Sequence, residues 1–212
     1  MSSRSHGFSH GFSLAELMIV IGLAAAILAI GAPNFQQFRL NNRLSNAAND
    51  TLAVITSART EAIKRQVSVA VCRTDTPSQE DAKCSATSGN GWIAFIDKDN
   101  NCTRGDKDSE PLVASRALDN SITANTLRVR TDGDCLQFGS SGFRQRVGTL
   151  SVLNHVTLCD SRGMVAAQGL NVSAGRGLLI TTTGRARVTR VLGGDSPDDV
   201  SSASWAGAKC PS

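Results

Sequence analysis

The sequence predicts an α+β fold, one long N-terminal helix packed on a small antiparallel sheet. Three observations predict it. An uncharged, mostly apolar run from Leu17 to Ala32 passes into a stretch where apolar residues recur every three or four positions. After Lys64 the texture changes to short alternating runs, set apart by clusters of Gly, Asn and Asp. Six cysteines are spread over those runs, at 72, 84, 102, 135, 159 and 210, with no C-x-x-C pair and no zinc spacing. An even count of that kind in an exported head reads as three disulfides; the alternative is six buried thiols in a cytosolic protein.

The N-terminus comes first. Residues 1–11 are short and polar, with a single Arg4. Between Phe12 and Phe38 the only charge is Glu16. The apolar run is close to the length of a membrane-spanning helix. An ordinary secretory signal peptide is the competing reading, with cleavage near Gly31 or Ala32. Glu16 argues against it, because a carboxylate opening an apolar run is costly in lipid and needs a partner. The helical pattern also continues past the supposed cleavage point. Gly11-Phe12-Ser13-Leu14-Ala15-Glu16-Leu17 resembles the processing motif of type IV pilins and type II secretion pseudopilins. The upstream Gly7-Phe8-Ser9 lacks the matching Glu. The resemblance implies a leader over 1–11, cleavage after Gly11 by a prepilin peptidase, and N-methylation of Phe12. It implies that Glu16 neutralises the N-terminal amine of a neighbouring subunit during assembly. It also places Pro33 where the family has a helix-loosening proline.

The helix is expected from Phe12 to about Lys64, roughly 80 Å at ~1.5 Å per residue. Residues 12–40 form its hydrophobic, membrane-anchoring first half. In the second half Leu44, Ala48, Leu52, Ile55, Ala58 and Ala62 form a stripe that packs on a sheet, while Arg39, Arg43, Arg59, Glu61 and Arg65 face water or other subunits. Strands are expected at Val67–Val71, Trp92–Ile96, Thr126–Arg130, His155–Leu158, Leu178–Thr182 and Arg187–Leu192. The polar segment from Asp75 to Gly91 reads as an exposed loop. The head is expected to span 41–192, followed by a loose tail, 193–212, pinned by Cys210.

Catalytic chemistry finds little support. His6 and His10 lie in the leader, which leaves His155 as the one histidine of the processed chain. Neither a histidine-based metal site nor a Ser/His/Asp triad can be assembled from it, and in an apolar strand it reads as structural. Asp97-Lys98-Asp99-Asn100-Asn101 resembles the start of a calcium loop, but Cys102 and Asp108 stand where an EF-hand needs Gly and Glu. A polar turn is the plainer reading, and no metal or other cofactor is expected. The absence of Tyr and the presence of only two Trp disfavour a row of base-stacking platforms.

Charge is segregated. From Arg128 to Leu192 there are nine Arg, no Lys and three Asp, whereas 75–120 is net acidic. An all-arginine surface suits phosphate, because guanidinium offers a planar fork of donors. Solvated strand faces, or ion pairs with an acidic neighbouring subunit, account for it equally. Thr183-Gly184-Arg185-Ala186-Arg187-Val188 contains G-R-x-R, whose two arginines share one face of a strand.

The anchor, Ala58-Arg59-Thr60-Glu61-Ala62-Ile63-Lys64-Arg65, Val71-Cys72, Gly91-Trp92-Ile93-Ala94-Phe95, Leu158-Cys159-Asp160, the G-R-x-R element and the last Cys210 together resemble the FimT/GspH family of minor pilins and pseudopilins. The resemblance implies the type IV pilin fold, no enzymatic activity, and other major and minor pilins as partners. It implies an inner-membrane protein with a periplasmic head that enters a pilus fibre or its tip. FimT-type members are associated with DNA uptake in natural transformation, which carries sequence-independent DNA binding onto Arg185 and Arg187. Local charge adds Arg190, Arg162 and Arg176, and the scarcity of aromatics favours duplex. The family also implies disulfides Cys72–Cys84 and Cys159–Cys210, which leaves Cys102–Cys135. The alternative function is a GspH-like structural pseudopilin of a type II secretion system, whose arginines pair with acidic faces of other subunits.

Overall fold

A computed structural model describes residues 13–85, 89, 91–119, 127–160, 162, 164–167 and 170–193. The leader, Gly11, Phe12 and the tail after Gly193 lie outside the described residues. Contacts divide the chain into two units, Met1–Asn41 and Asn42–Ser212.

A single helix, α1 (Leu14–Arg65), runs without a break through Pro33, the position of the helix-loosening proline. Ser13 caps its start: the Ser13 hydroxyl accepts the Glu16 N–H at 3.2 Å, the S-x-x-E pattern of a capping box. Its end is a Schellman turn. Gln66 adopts φ 57°, Val67 N–H returns to the Ala62 carbonyl at 3.3 Å, and the Gln66 side chain covers the Ile63 carbonyl at 2.7 Å. In the first unit the described large apolar side chains from Leu14 to Phe38 are exposed, 53–76% each. No helix of the described residues is long and apolar enough to cross a membrane.

The second unit holds two sheets, where the sequence led to one. The strands are β1 (Val69–Thr74), β2 (Gly91–Ile96), β3 (Leu112–Ala117), β4 (Arg128–Thr131), β5 (Leu136–Phe138), β6 (Arg144–Gln145), β7 (His155–Cys159), β8 (Met164–Ala167), β9 (Leu170–Ile180) and β10 (Ala186–Gly193). One sheet has the order β3-β2-β1-β5-β6 and the other β10-β9-β7-β4, with β8 paired to β9; every strand pairing is antiparallel. Trp92–Ile96 and His155–Leu158 were expected within a residue of where they fall. β1 starts two residues later than expected. β3, β5, β6, β8 and the first half of β9 were not anticipated, being too short or too polar to stand out from loops.

The stripe on α1 packs as its spacing dictates. Leu44, Ala48, Ile55, Ala58 and Ala62 are buried, with Ala47 and Val54 beside them and Leu52 at the margin. They join one core with Val69, Val71, Trp92, Ala94, Leu136 and Phe138 of the first sheet and Val156, Leu158, Leu178 and Ile180 of the second. Arg43, expected at the surface, is 4% exposed. The buried face of the helix is therefore wider than the six stripe positions show.

The first sheet is buried on both faces, which is why β2 reads as a continuous apolar run. Its far face carries Ala70, Cys72, Ile93 and Phe95, covered by Ala82, Cys102, Cys135 and Val147 from the connecting loops. Disulfides Cys72–Cys84 and Cys102–Cys135 tie those loops down, with Cα separations of 5.6 and 6.0 Å. Cys159 is also disulfide-bonded, and Cys210 lies outside the described residues. Buried Arg104 spans the same loops, donating to the carbonyls of Glu110, Glu80 and Ala82 at 2.9, 2.9 and 2.7 Å. The Asp75–Gly91 loop is therefore partly a second core layer: Ala82 is 1% exposed.

The Asp97–Asn101 turn is a hydrogen-bonded staple. The Asp97 carboxylate accepts the N–H groups of Asn101 and Cys102 and the Gln137 amide, at 3.2, 2.9 and 2.9 Å. Burial pushes its pKa up, against the main-chain donors that pull it down. Asp97, Asp99 and Glu110 approach within 4.8 Å, but Glu110 is occupied by the N–H groups of Lys98 and Gly105.

Candidate nucleic-acid interface

Nine arginines from Arg128 to Leu192 do not make one surface. Arg144 is an internal tie. Its guanidinium donates to the carbonyls of Leu153 and Ile180 and to Asn154 Oδ1, at 3.1, 3.2 and 2.7 Å. Arg162 closes on buried Asp160, with Nη2 to Oδ2 at 2.6 Å and Nε to both oxygens at 2.9 and 3.1 Å. That chelated geometry neutralises an otherwise isolated buried carboxylate. Arg176 is half-buried, and its main chain pairs with that of Arg190 across β9 and β10. The Arg190 side chain lies outside the described ones.

Arg185 and Arg187 differ from these. Both are exposed, and among the described residues neither guanidinium has a partner; Arg128, Arg130 and Arg146 are exposed as well, on β4 and beside β6. The reason is strand alternation: Ala186 and Val188 pack against the main core, so Arg185 and Arg187 take the opposite face. The turn before them is built tightly. Thr181 N–H donates to the Arg185 carbonyl at 2.9 Å, Arg185 N–H to Thr181 Oγ1 at 3.2 Å, and Gly184 N–H to the Thr181 carbonyl at 2.9 Å.

Gly184 is required there twice over. Its φ is +77°, and a Cβ would stand 2.5 Å from the Gly142 carbonyl oxygen and 3.0 Å from the Phe138 ring. The β9–β10 turn is thus pressed onto the β5–β6 turn. Arg144 N–H donates to the Thr182 carbonyl at 3.3 Å across the same junction. From α1, Arg59 Nε donates to the Gly142 carbonyl at 3.0 Å, and Ile63 lies against Gly142, where a Cβ would come 2.5 Å from Ile63 Cδ1. Two hairpin tips and the last turns of the helix therefore converge beside Arg185. The sequence placed Arg185 and Arg187 but did not find Arg59, Ile63 or Phe143, which adjoin them only in space. The signal available was Ser-Ser-Gly-Phe at 140–143, a turn with a large aromatic and no apolar periodicity around it.

His155 is structural in its setting. It is 7% exposed, and its Nδ1 lies 2.9 Å from Asp132 Oδ2. The Asp132 carboxylate also accepts the N–H groups of Asn154 and His155 at 2.8 and 2.7 Å, and the Asn154 amide at 2.8 Å. Burial raises the Asp132 pKa, but the donors outweigh it and bring it down to about 2.

A long capped helix whose second half forms one core with two antiparallel sheets, and whose first half leaves its apolar side chains uncovered, defines a pilin-like α+β subunit. The family model described as Type II transport protein GspH matches residues 47–184, and the chain belongs to that family of minor pilins and pseudopilins. Membership makes it a subunit that associates with other pilins. The match ends on Gly184, one residue short of Arg185, and begins after the Gly11–Leu17 motif. Among solved structures, the type IV minor pilin FimU of Pseudomonas aeruginosa is similar in two crystal forms. One is 17% identical over 72% of this chain and 92% of FimU, with a TM-score of 0.43. The other is 16% identical over 69% and 92%, with a TM-score of 0.40. No curated protein matches the chain.

Proposed function

We propose that this is a minor type IV pilin that binds DNA without sequence preference, through Arg185 and Arg187, for uptake in natural transformation. The observation that carries the reading is the exposed, unpartnered arginine pair on a turn held rigid by Gly184 and Thr181. Guanidinium forks at that spacing neutralise successive phosphates, so a duplex backbone is the default ligand. Arg190 and Arg176 add positive charge on the same hairpin, whereas the charge of Arg162 is balanced by Asp160. A prepilin peptidase removes residues 1–11 and methylates Phe12. The helix then anchors the subunit in the inner membrane with the head in the periplasm, as the exposed apolar side chains of its first half support. During assembly into a fibre or its tip, Glu16 meets a neighbour's N-terminal amine.

The test is anisotropy of labelled duplex with the full chain in detergent, from about 50 to 200 mM salt. Arg185→Gln with Arg187→Gln should weaken binding several-fold and reduce the log–log salt slope by about 2. Unchanged affinity and slope, with the far-ultraviolet circular dichroism intact, would remove the reading. The second reading is a structural pseudopilin of a type II secretion system, favoured by the matched family being that of the type II transport protein GspH. There Arg185 and Arg187 pair with acidic side chains of a neighbouring subunit, and the double substitution impairs secretion without touching DNA binding.

A further inference from the structure

The convergence of the two hairpin tips leaves an aromatic ring in the open. Among the described residues of the second unit, only Ile63, Phe143 and Leu150 are large apolar side chains left exposed, at 43%, 54% and 36%. Two of these three meet at one place. Gly142, next to Phe143, lies against Ile63, and its carbonyl is held by Arg59 Nε and pressed by Gly184. Arg144 turns inward to its three acceptors, so strand alternation directs Phe143 outward. The ring therefore stands beside the turn that carries Arg185, on backbone fixed from both sides.

With 54% of its surface left in water, the ring buries less than half of itself on folding. The backbone beside it adjoins two cationic residues: Arg59, bonded to the Gly142 carbonyl, and Arg185, which follows Gly184 at the junction. A flat apolar face bordered by guanidinium groups complements a nucleobase with its phosphate. It does not complement an intact duplex, whose base faces are stacked away.

We propose that Phe143 is a stacking platform for an unpaired base, with Arg185 on the adjoining phosphate, so that this tip prefers single-stranded DNA or a frayed end. The proposal rests on the DNA-binding reading and names its ligand more closely. It reverses the preference for duplex that the scarcity of aromatics implies, because one ring suffices when the fold places it beside the arginine pair. Ile63 extends the apolar floor, and Arg59 fixes the tip rather than reading the ligand.

The experiment compares an oligothymidylate with a blunt duplex of equal length, using the full chain in detergent. Phe143→Ala is expected to weaken binding of the single strand about tenfold while changing duplex binding by less than about twofold. Phe143→Trp should keep single-strand affinity and show fluorescence quenching on saturation, because the new indole stacks on a base. Equal affinities for Phe143→Ala and the parent on the single strand, with no quenching in Phe143→Trp, overturn the stacking role. If the Arg185→Gln, Arg187→Gln protein still weakens for both ligands, the arginine reading survives that failure. A parent chain that binds neither ligand overturns both.

Discussion

Replacing Gly184 by Ala tests whether the candidate site depends on the contact of two turns. Two separate costs arise. A residue with a Cβ at φ +77° costs about 1–2 kcal/mol, because the side chain crowds the carbonyl. The Cβ would also sit 2.5 Å from the Gly142 oxygen and 3.0 Å from Phe138, within a packed junction, and overpacking of that kind costs about 1–3 kcal/mol. The expected total is roughly 2–5 kcal/mol, which lowers the melting temperature by ~10 °C for a chain of this size. Gly148 is the control. Its φ is +50°, but a Cβ there meets nothing within 4 Å, so Gly148→Ala carries the backbone cost alone, about 1 kcal/mol. Gly184→Asn separates the terms further, since Asn tolerates the left-handed region but still brings a Cβ. The assay is thermal unfolding by circular dichroism of the full chain in detergent, run on all three variants. Equal melting temperatures for Gly184→Ala and Gly148→Ala would refute the contact and leave only the conformational term.

Asp132 should govern acid stability. Its folded carboxyl is held at about 2 against an ordinary value of 3.8, so its contribution is complete above the unfolded value near 4 and is lost as pH falls toward 2. Asp132 is exposed, so solvent screening leaves only part of that shift as stability, about 1 kcal/mol at neutral pH, and Asp132→Asn should flatten the acid limb of a denaturation profile measured between about pH 5 and 2. The two described disulfides should differ in effect. Cys102–Cys135 closes a separation of 33 residues and Cys72–Cys84 one of 12, so chain entropy gives the longer loop about 1 kcal/mol more. Urea titrations of the paired Cys→Ser variants check the order.

Much of the molecule was legible in the chain. Leu17–Ala32 and Glu16 were read from composition alone, since an apolar run with one charge admits few explanations. The stripe from Leu44 to Ala62 was read from a period of 3.6, and β2 and β7 from dense β-branched and aromatic residues. Those signals are local, and local signals survive in a one-dimensional reading. What tertiary structure alone decided is non-local. It divided the strands into two sheets, because β3, β5 and β6 owe their existence to neighbours rather than to their own sequence. It buried Arg43 and Arg104 and sent Arg144 and Arg162 to internal acceptors, so that the run of arginines on paper was split, with Arg185 and Arg187 left exposed on a turn of their own. It also set Phe143 beside Arg185, some forty residues apart in sequence, by pressing the Gly142 carbonyl against Gly184. A sequence states which groups carry charge or apolar surface, but which of them remain available depends on the partners that folding brings within hydrogen-bonding distance.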